Sequence, residues 1–393
     1  MNGSLSPRQR LRRALERRGD SYPLLDLGSS PNTTMTRAAH ERLLEFLGLS
    51  VPSVPRWMNL MFQSVFVEER ALEALHIDTR PVVPDPVQAL GLRWLHGGML
   101  ADAWGITYKP AQIAGKTAYY EVLAHPLQSV SAVEDLDGHA WPSVEDSSPW
   151  EDLERSAARL HHETQFALVG HPGDTSLLET AWSLLGAERF MMALVKEKAL
   201  IHAVMERVLA IQSRRMEHFL SRVGSFLDVV CVGDDLGHQG GLLMSPTMYR
   251  QMIRPYHRRF FALIKSKTQA KLHLHSCGAI QSLLPDLLEL GVDVINPVQV
   301  SAKGMAPEEL SVQFGDRMAF WGGIDTQGVL RSGSPAEVRE EVRRAMGTLG
   351  RHGGYVLGAV HNIQADVPPE NVSAMYDEAW RQRMSKQGEE NAT

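Results

Sequence analysis

From about residue 165 the chain alternates short, wholly apolar, β-branched runs with stretches of helical period. FALVGH (166–171), FLDVVCVGDD (226–235), KLHLHSCG (271–278), VDVINPV (292–298), MAFWGGID (318–325) and GYVLGAVHN (354–362) are six such runs. Each is too apolar to turn one face to water, which predicts parallel strands covered on both sides. The intervening helices carry start signals at Ser245-Pro246, at Pro307-Glu308-Glu309, from about Pro335 and near Pro369. Two earlier runs, YPLLDLG (22–28) and TRPVVP (79–84), bring the count to eight. Eight strands with helices between them favour an α/β fold of the closed kind, a (β/α)8 TIM barrel, over an open doubly wound sheet. No GxGxxG follows the first strand and no P-loop is present, which weakens a nucleotide-binding alternative.

Residues 85–150 interrupt the rhythm, and 85–125 are read as an insertion. ITYKP, a turn at Ala114-Gly115-Lys116 and AYYEVLAHPL predict a β-hairpin insertion after the second strand. Its aromatic residues Trp94, Trp104, Tyr108, Tyr119 and Tyr120 exceed what a solvated hairpin needs. The insertion is therefore expected to cover the barrel mouth or to form an oligomer contact such as that of a homodimer, with these rings mostly buried. Residues 1–393 are read as one domain carrying this excursion.

Composition narrows the function classes. A formal net charge of −6 and a chain with 44% apolar residues argue for a globular protein without a nucleic-acid partner. The one basic cluster, Arg8, Arg10, Arg12, Arg13, Arg17 and Arg18, is expected to form the solvated face of a short helix that Ser6 caps and Pro7 begins. No apolar stretch approaches the roughly 18 residues of a membrane span, and the N-terminus lacks the apolar core of a signal peptide. Two cysteines, Cys231 and Cys277, are too few for a disulfide framework, so a cytoplasmic setting with reduced thiols is expected. Cys231, inside a β-branched run, is expected to pack in the core.

The chemistry concentrates at the ends of the apolar runs. They finish in His171, in Asp234 and Asp235, in His275 and Cys277, in Asn296, in Asp325, and in His361, Asn362 and Gln364. In a barrel these C-terminal strand ends converge on one mouth, where enzymes of this fold place their active sites. His275 and Cys277 stand two apart and project to the same side of an extended strand, so an imidazole and a thiolate can reach one ion. Zinc accepts such mixed ligands, with three protein groups and an open position in catalytic sites. His361 is the natural third ligand, with Asp234 or Asp235 as substitutes. Adjacent strand residues point to opposite sides, so one of the two aspartates is expected to face the mouth and serve catalysis. The other is expected to cap a neighbouring backbone or pair with an arginine. His171, Asn296, Asp325, Asn362 and Gln364 are candidates for holding a small-molecule substrate.

The stretches GDDLGHQGGLLMSPTMYRQMIRPYHRRFFALI, LHSCGAIQSLLPDLLELGVDVINPVQ, FWGGIDTQ and VHNIQADVPPENV resemble the uroporphyrinogen decarboxylase-like superfamily. That resemblance implies the same barrel and covers nearly the whole chain. True uroporphyrinogen decarboxylases hold their polyacidic substrate with an arginine-rich segment after the first strand. Here the corresponding residues read GSSPNTTMT, with no arginine until Arg37. Buried carboxylates without cationic partners are costly, which argues against a haem-pathway substrate. The superfamily's other branch implies zinc methyltransferases that pass a methyl group between a corrinoid and a thiol such as coenzyme M. Its His-x-Cys pair is present at His275 and Cys277, whereas the branch's later cysteine is absent and the last strand offers His361. The resemblance thus implies a zinc cofactor and a corrinoid that arrives on a partner protein or free. The alternative is a decarboxylase of a smaller acid, using Asp234 or Asp235.

Overall fold

All eight apolar runs are strands in the computed structural model, which describes residues 5–16, 23–113, 115–144 and 148–390. They are β1 (Leu24–Leu25), β2 (Thr79–Val82), β3 (Ala167–Gly170), β4 (Val229–Gly233), β5 (Lys271–His275), β6 (Val294–Asn296), β7 (Ala319–Ile324) and β8 (Tyr355–Ala359). Every neighbouring pair from β2 through β8 and back to β1 is parallel and in chain order. The Asp78 N–H donates to Leu25 O at 2.9 Å, and the Leu25 N–H returns to Asp78 Oδ2 at 2.8 Å. These two bonds bridge the seam between β1 and β2, and the sheet is a (β/α)8 barrel with helices around it.

Alternate strand residues fill the barrel, including Leu24, Val169, Val229, Cys231, Val294, Trp321 and Val356. Cys231 packs there, and burial pushes its thiol up to about 12. The larger core lies between the outer faces of the strands and the helices.

The N-terminal helix Pro7–Leu15 closes the bottom of the barrel with Leu11, Ala14 and Leu15. Ser6 and Gln9 form its capping box. Its arginines depart from the expectation of a solvated face. Arg12 and Arg13 are exposed, but Arg10 is buried and reaches Asp78 at 2.5 Å, and Arg8 lies 3.5 Å from Asp228. Arg383, from the last helix Pro369–Glu390, pairs with the same Asp78 at 2.5 Å. A barrel bottom exposes strand N-termini whose carboxylates need cations, and this helix supplies them. Arg17 and Arg18 lie outside the described residues.

The insertion after β2 is larger than one hairpin. Arg93–Trp94, Leu100–Ala101, Thr107–Ile113 and Lys116–Ala124 form a four-stranded antiparallel sheet in that order. The expected turn is there, with Gly115 at φ 75°, although Ala114 is outside the described residues. The expectation of buried rings holds only in part. Trp104 is buried and Tyr108 and Tyr120 are half-buried, but Trp94 is 61% and Tyr119 42% exposed. Tyr119 and Tyr120 are consecutive on one strand, so only one can face inward. Trp94 lies on the sheet's outer strand. Among the described residues no helix is long and apolar enough to cross a membrane.

Candidate metal centre and cavity

The loops after β4 and β5 touch each other at the mouth. Gly278 takes φ 88°, and a side chain there would meet the backbone of Gly237 and His238 at 2.4 Å, so only glycine permits this approach. Further bonds tie the loops together: Ser276 Oγ accepts the Leu236 N–H at 3.0 Å and Asp235 Oδ1 accepts the Cys277 N–H at 2.7 Å. The result sets Cys277 beside His275, with Sγ 3.5 Å from Nε2.

His361, following β8, brings its ring to 5.4 Å from that of His275. One ligand atom from each of His275, Cys277 and His361 lies within 4.8 Å of the others. Zinc bonds of 2.0–2.3 Å in a tetrahedron place neighbouring ligand atoms about 3.5 Å apart. The His275–Cys277 edge already has that length, and His361 needs a shift of about 1 Å to complete the face. The donor set and its spacing fit zinc. On the far side of His275, Nδ1 lies 2.6 Å from Asn296 Oδ1, while Asn296 Nδ2 donates to Trp321 O. The amide carbonyl holds the proton on Nδ1 and leaves the Nε2 lone pair free, the usual support of a metal-bound histidine.

Burial keeps these imidazoles neutral. It pushes His361 down to about 3, with the His275 ring adding to the effect, and lowers His275 against the opposing pull of Asp235 and Asn296. The Cys277 thiol is raised by burial and by the nearby carboxylates Asp235 and Glu179. His273, one layer deeper, is buried against the Trp321 ring and neutral, with its Nδ1 unpartnered among the described residues.

His275 and His361 of the triad border a cavity of about 340 Å³ between the mouth and the insertion. His171, Asp235, His275 and His361 line it from the barrel, Pro31 and Asn32 from the loop after β1, and Asp102, Trp104 and Tyr108 from the insertion. Asp174, Glu179 and Trp182 complete it from the segment after β3. Among the described residues no lysine or arginine lines it.

The two strand-end aspartates part company. Asp235 faces the cavity. Asp234 is buried and accepts the N–H groups of Leu177, Leu178 and Glu179 at 2.9–3.0 Å, capping the helix Leu178–Leu185. It also meets His257 Nε2 at 2.8 Å. Of the residues expected to hold substrate, His171 lines the cavity and the other four do not. Asn296 is taken by His275. Asn362 is buried, accepting the Thr34 N–H and donating to Pro31 O, and so anchors the loop after β1. Gln364 is exposed and bonds to Asn362 O. Asp325 accepts the Gln327 N–H. Strand-end polarity marks the mouth, but half of it serves the loops that shape the mouth.

Sequence reasoning missed Glu179, which sits in the first turn of a helix rather than on a strand end. Burial and then the Asp235 and Asp234 carboxylates hold its carboxyl well above the ordinary range. It also missed Asp102, pushed up to about 6 by burial against the opposing pull of Tyr108 OH and the Ile106 N–H. The aromatic surplus of the insertion was the one signal pointing there.

Among solved structures the chain is similar to a methyltransferase from Methanosarcina mazei, with a TM-score of 0.64, 18% identity and 97% and 100% of the two chains covered. At that identity the likeness concerns the fold. Curated uroporphyrinogen decarboxylases match over shorter stretches. That of Paraburkholderia phytofirmans is 32% identical over 98 residues, 25% of either chain. That of Burkholderia pseudomallei is 24% identical over 188 residues, 45% of this chain and 47% of its own. The chain thus spans less than half the length of these curated relatives in alignment. The family profile described as Uroporphyrinogen decarboxylase (URO-D) matches residues 166–381, which hold six of the eight strands and all three members of the triad. With more than half of its length matched in this way, the chain belongs to the uroporphyrinogen decarboxylase family.

Proposed function

We propose that the protein is a zinc-dependent methyltransferase, moving a methyl group from a corrinoid carrier or free methylcobalamin to a thiol. The observation that carries this reading is the triad itself: two imidazoles and a thiol within 4.8 Å of one another, with both imidazoles lining a small cavity. His275, Cys277 and His361 would hold the ion, and Asn296 would fix the His275 tautomer. Zinc bound there supplies a positive charge that lowers the pKa of a thiol entering the open position.

The remaining chemistry falls to the chain's own residues. The cavity walls exclude water and orient the acceptor sulfur toward the mouth. Asp235 faces the cavity and is the group suited to take the proton that leaves the thiol. The sulfur then forms its bond to the methyl carbon as the carbon–cobalt bond breaks, with that electron pair remaining on cobalt. The donor would present its methyl group from the open side of the cavity. Asp234 is a positioning residue that sets the helix bearing Glu179.

Decarboxylation of a small acid is the competing reading. The raised carboxyl of Glu179 would offer a proton for it. A substrate carboxylate would find no lysine or arginine in the cavity, however, and four acidic residues in its walls.

Metal analysis of the purified protein with Cys277→Ser separates the two readings. The expectation is about one zinc per chain in the wild type, and loss of both zinc and thiol methylation from methylcobalamin in the variant, because serine supplies neither charge nor softness at neutral pH. A zinc-free wild type, or a harmless Cys277→Ser beside a fatal Asp235→Asn, would put decarboxylation first.

A further inference from the structure

We infer that the cavity beside the triad takes a small organic cation, an amine or methylated ammonium that also carries a hydrogen-bond acceptor. This deepens the methyl-transfer reading by naming the class of its small-molecule substrate.

Charge is the first ground. Asp102, Asp174, Glu179 and Asp235 all line the cavity, and among the described residues no lysine or arginine does so. Arg215 lies 3.3 Å from Asp174 behind the wall. Among the described residues no ion pair with lysine or arginine is made by Asp102, Glu179 or Asp235. Carboxyl groups gathered out of water are expensive, and these four outnumber the net single positive charge of a zinc ion held by one thiolate, so an entering cation relieves that cost.

The walls supply the second ground. The Trp104 indole is held by its Nε1–H to Asp174 Oδ2 at 3.2 Å, and the Tyr108 ring by its hydroxyl to Asp102 Oδ2 at 2.7 Å. Trp182 adds a third ring to the lining. Aromatic faces joined to carboxylates suit an ammonium, and above all a methylated one, which cannot satisfy acids by hydrogen bonds alone.

His171 supplies the third. It is buried, 6% exposed, and its Nδ1 accepts the Gly173 N–H at 3.1 Å, so the ring proton sits on Nε2. That N–H has no protein partner among the described residues and belongs to a side chain lining the cavity. A hydroxyl or thiol on the ligand would accept from it.

The test is calorimetric titration of the zinc-loaded full-length chain with cysteamine, choline and 2-mercaptoethanesulfonate. Cysteamine and choline are expected to bind, and the sulfonate to bind at least about tenfold more weakly than cysteamine despite sharing its thiol. Glu179→Gln, which keeps size and removes charge, is expected to weaken both cations by about fivefold or more. Choline should also release a proton from Glu179, seen as a heat that depends on the buffer. Sulfonate binding equal to that of cysteamine, or cation binding untouched by Glu179→Gln, would overturn the inference. The choline arm needs no metal: choline binding to Cys277→Ser protein as to wild type upholds the cation site even where the zinc reading fails.

Discussion

The Nδ1 of His275 and the Oδ1 of Asn296 lie 2.6 Å apart, across the ends of two neighbouring strands. Strand register puts them there, since His275 and Asn296 are paired residues of β5 and β6. The bond fixes one tautomer and turns the other ring nitrogen toward Cys277. Asn296→Ala is therefore expected to lower zinc affinity by about 10–100-fold without removing a ligand. Competition with a chromophoric chelator measures it. Unchanged affinity would mean that the pair serves only packing.

Asp235 and Asp234 are adjacent in sequence and opposite in role. Asp235→Asn keeps an oxygen for the Cys277 N–H but removes the charge. Zinc content should stay, while turnover falls by about 10²–10⁴-fold, the usual range for a lost proton acceptor. Metal analysis beside steady-state kinetics checks this, and zinc lost in parallel with activity would argue for a structural role.

Asp234→Ala should instead destabilise the fold. Its carboxylate accepts three backbone N–H groups and faces His257, and all but the Glu179 bond are fully buried. Leaving such donors unpaired costs about 1–3 kcal/mol each, so a loss of at least about 3 kcal/mol in urea unfolding is expected. Asp234→Asn should lose less. Wild-type stability in the alanine variant would show that solvent reaches these groups.

Acid sensitivity follows from a buried histidine far from the cavity. His40 is 4% exposed and its Nε2 accepts the Glu68 N–H at 3.2 Å, while burial pushes it down to about 4 from an ordinary 6.5. Between those values the unfolded chain binds a proton that the folded chain does not. Stability is therefore full above pH 6.5 and declines as pH falls toward 4, by about 3 kcal/mol for this group. Below pH 4 its contribution changes no further. Unfolding midpoints across this window should slope less in His40→Gln than in wild type; an identical slope would assign the effect to other groups.

The strand-end pattern located the mouth because a barrel strand is apolar on both faces until it leaves the sheet, so His171, Asp235, His275 and His361 stand out against their runs. The eight strands were legible for the same reason. Local geometry also favoured His275 and Cys277 as a pair, since residues two apart share a side. What sequence alone could not convey is which polar end faces inward. Asn362 and Asp325 look like Asp235 in sequence, yet Asn362 is claimed by the loop after β1 and Asp325 by the Gln327 N–H of its own turn, and only Asp235 lines the cavity.

Tertiary structure alone decided the rest. Glu179 enters the cavity because Asp234 caps the helix that carries it, a contact spanning 55 residues. Asp102, Trp104 and Tyr108 arrive from an insertion whose strands pair only with one another. Arg10, expected in solvent, is buried because it pairs with Asp78, 68 residues on, a carboxylate that also takes Arg383 from 305 residues further along the chain. Periodicity records how each segment divides between core and water, and so the chain by itself determined the barrel and its chemically active end. The partners of a buried charge are set by long-range closure of that barrel, and no local pattern encodes them.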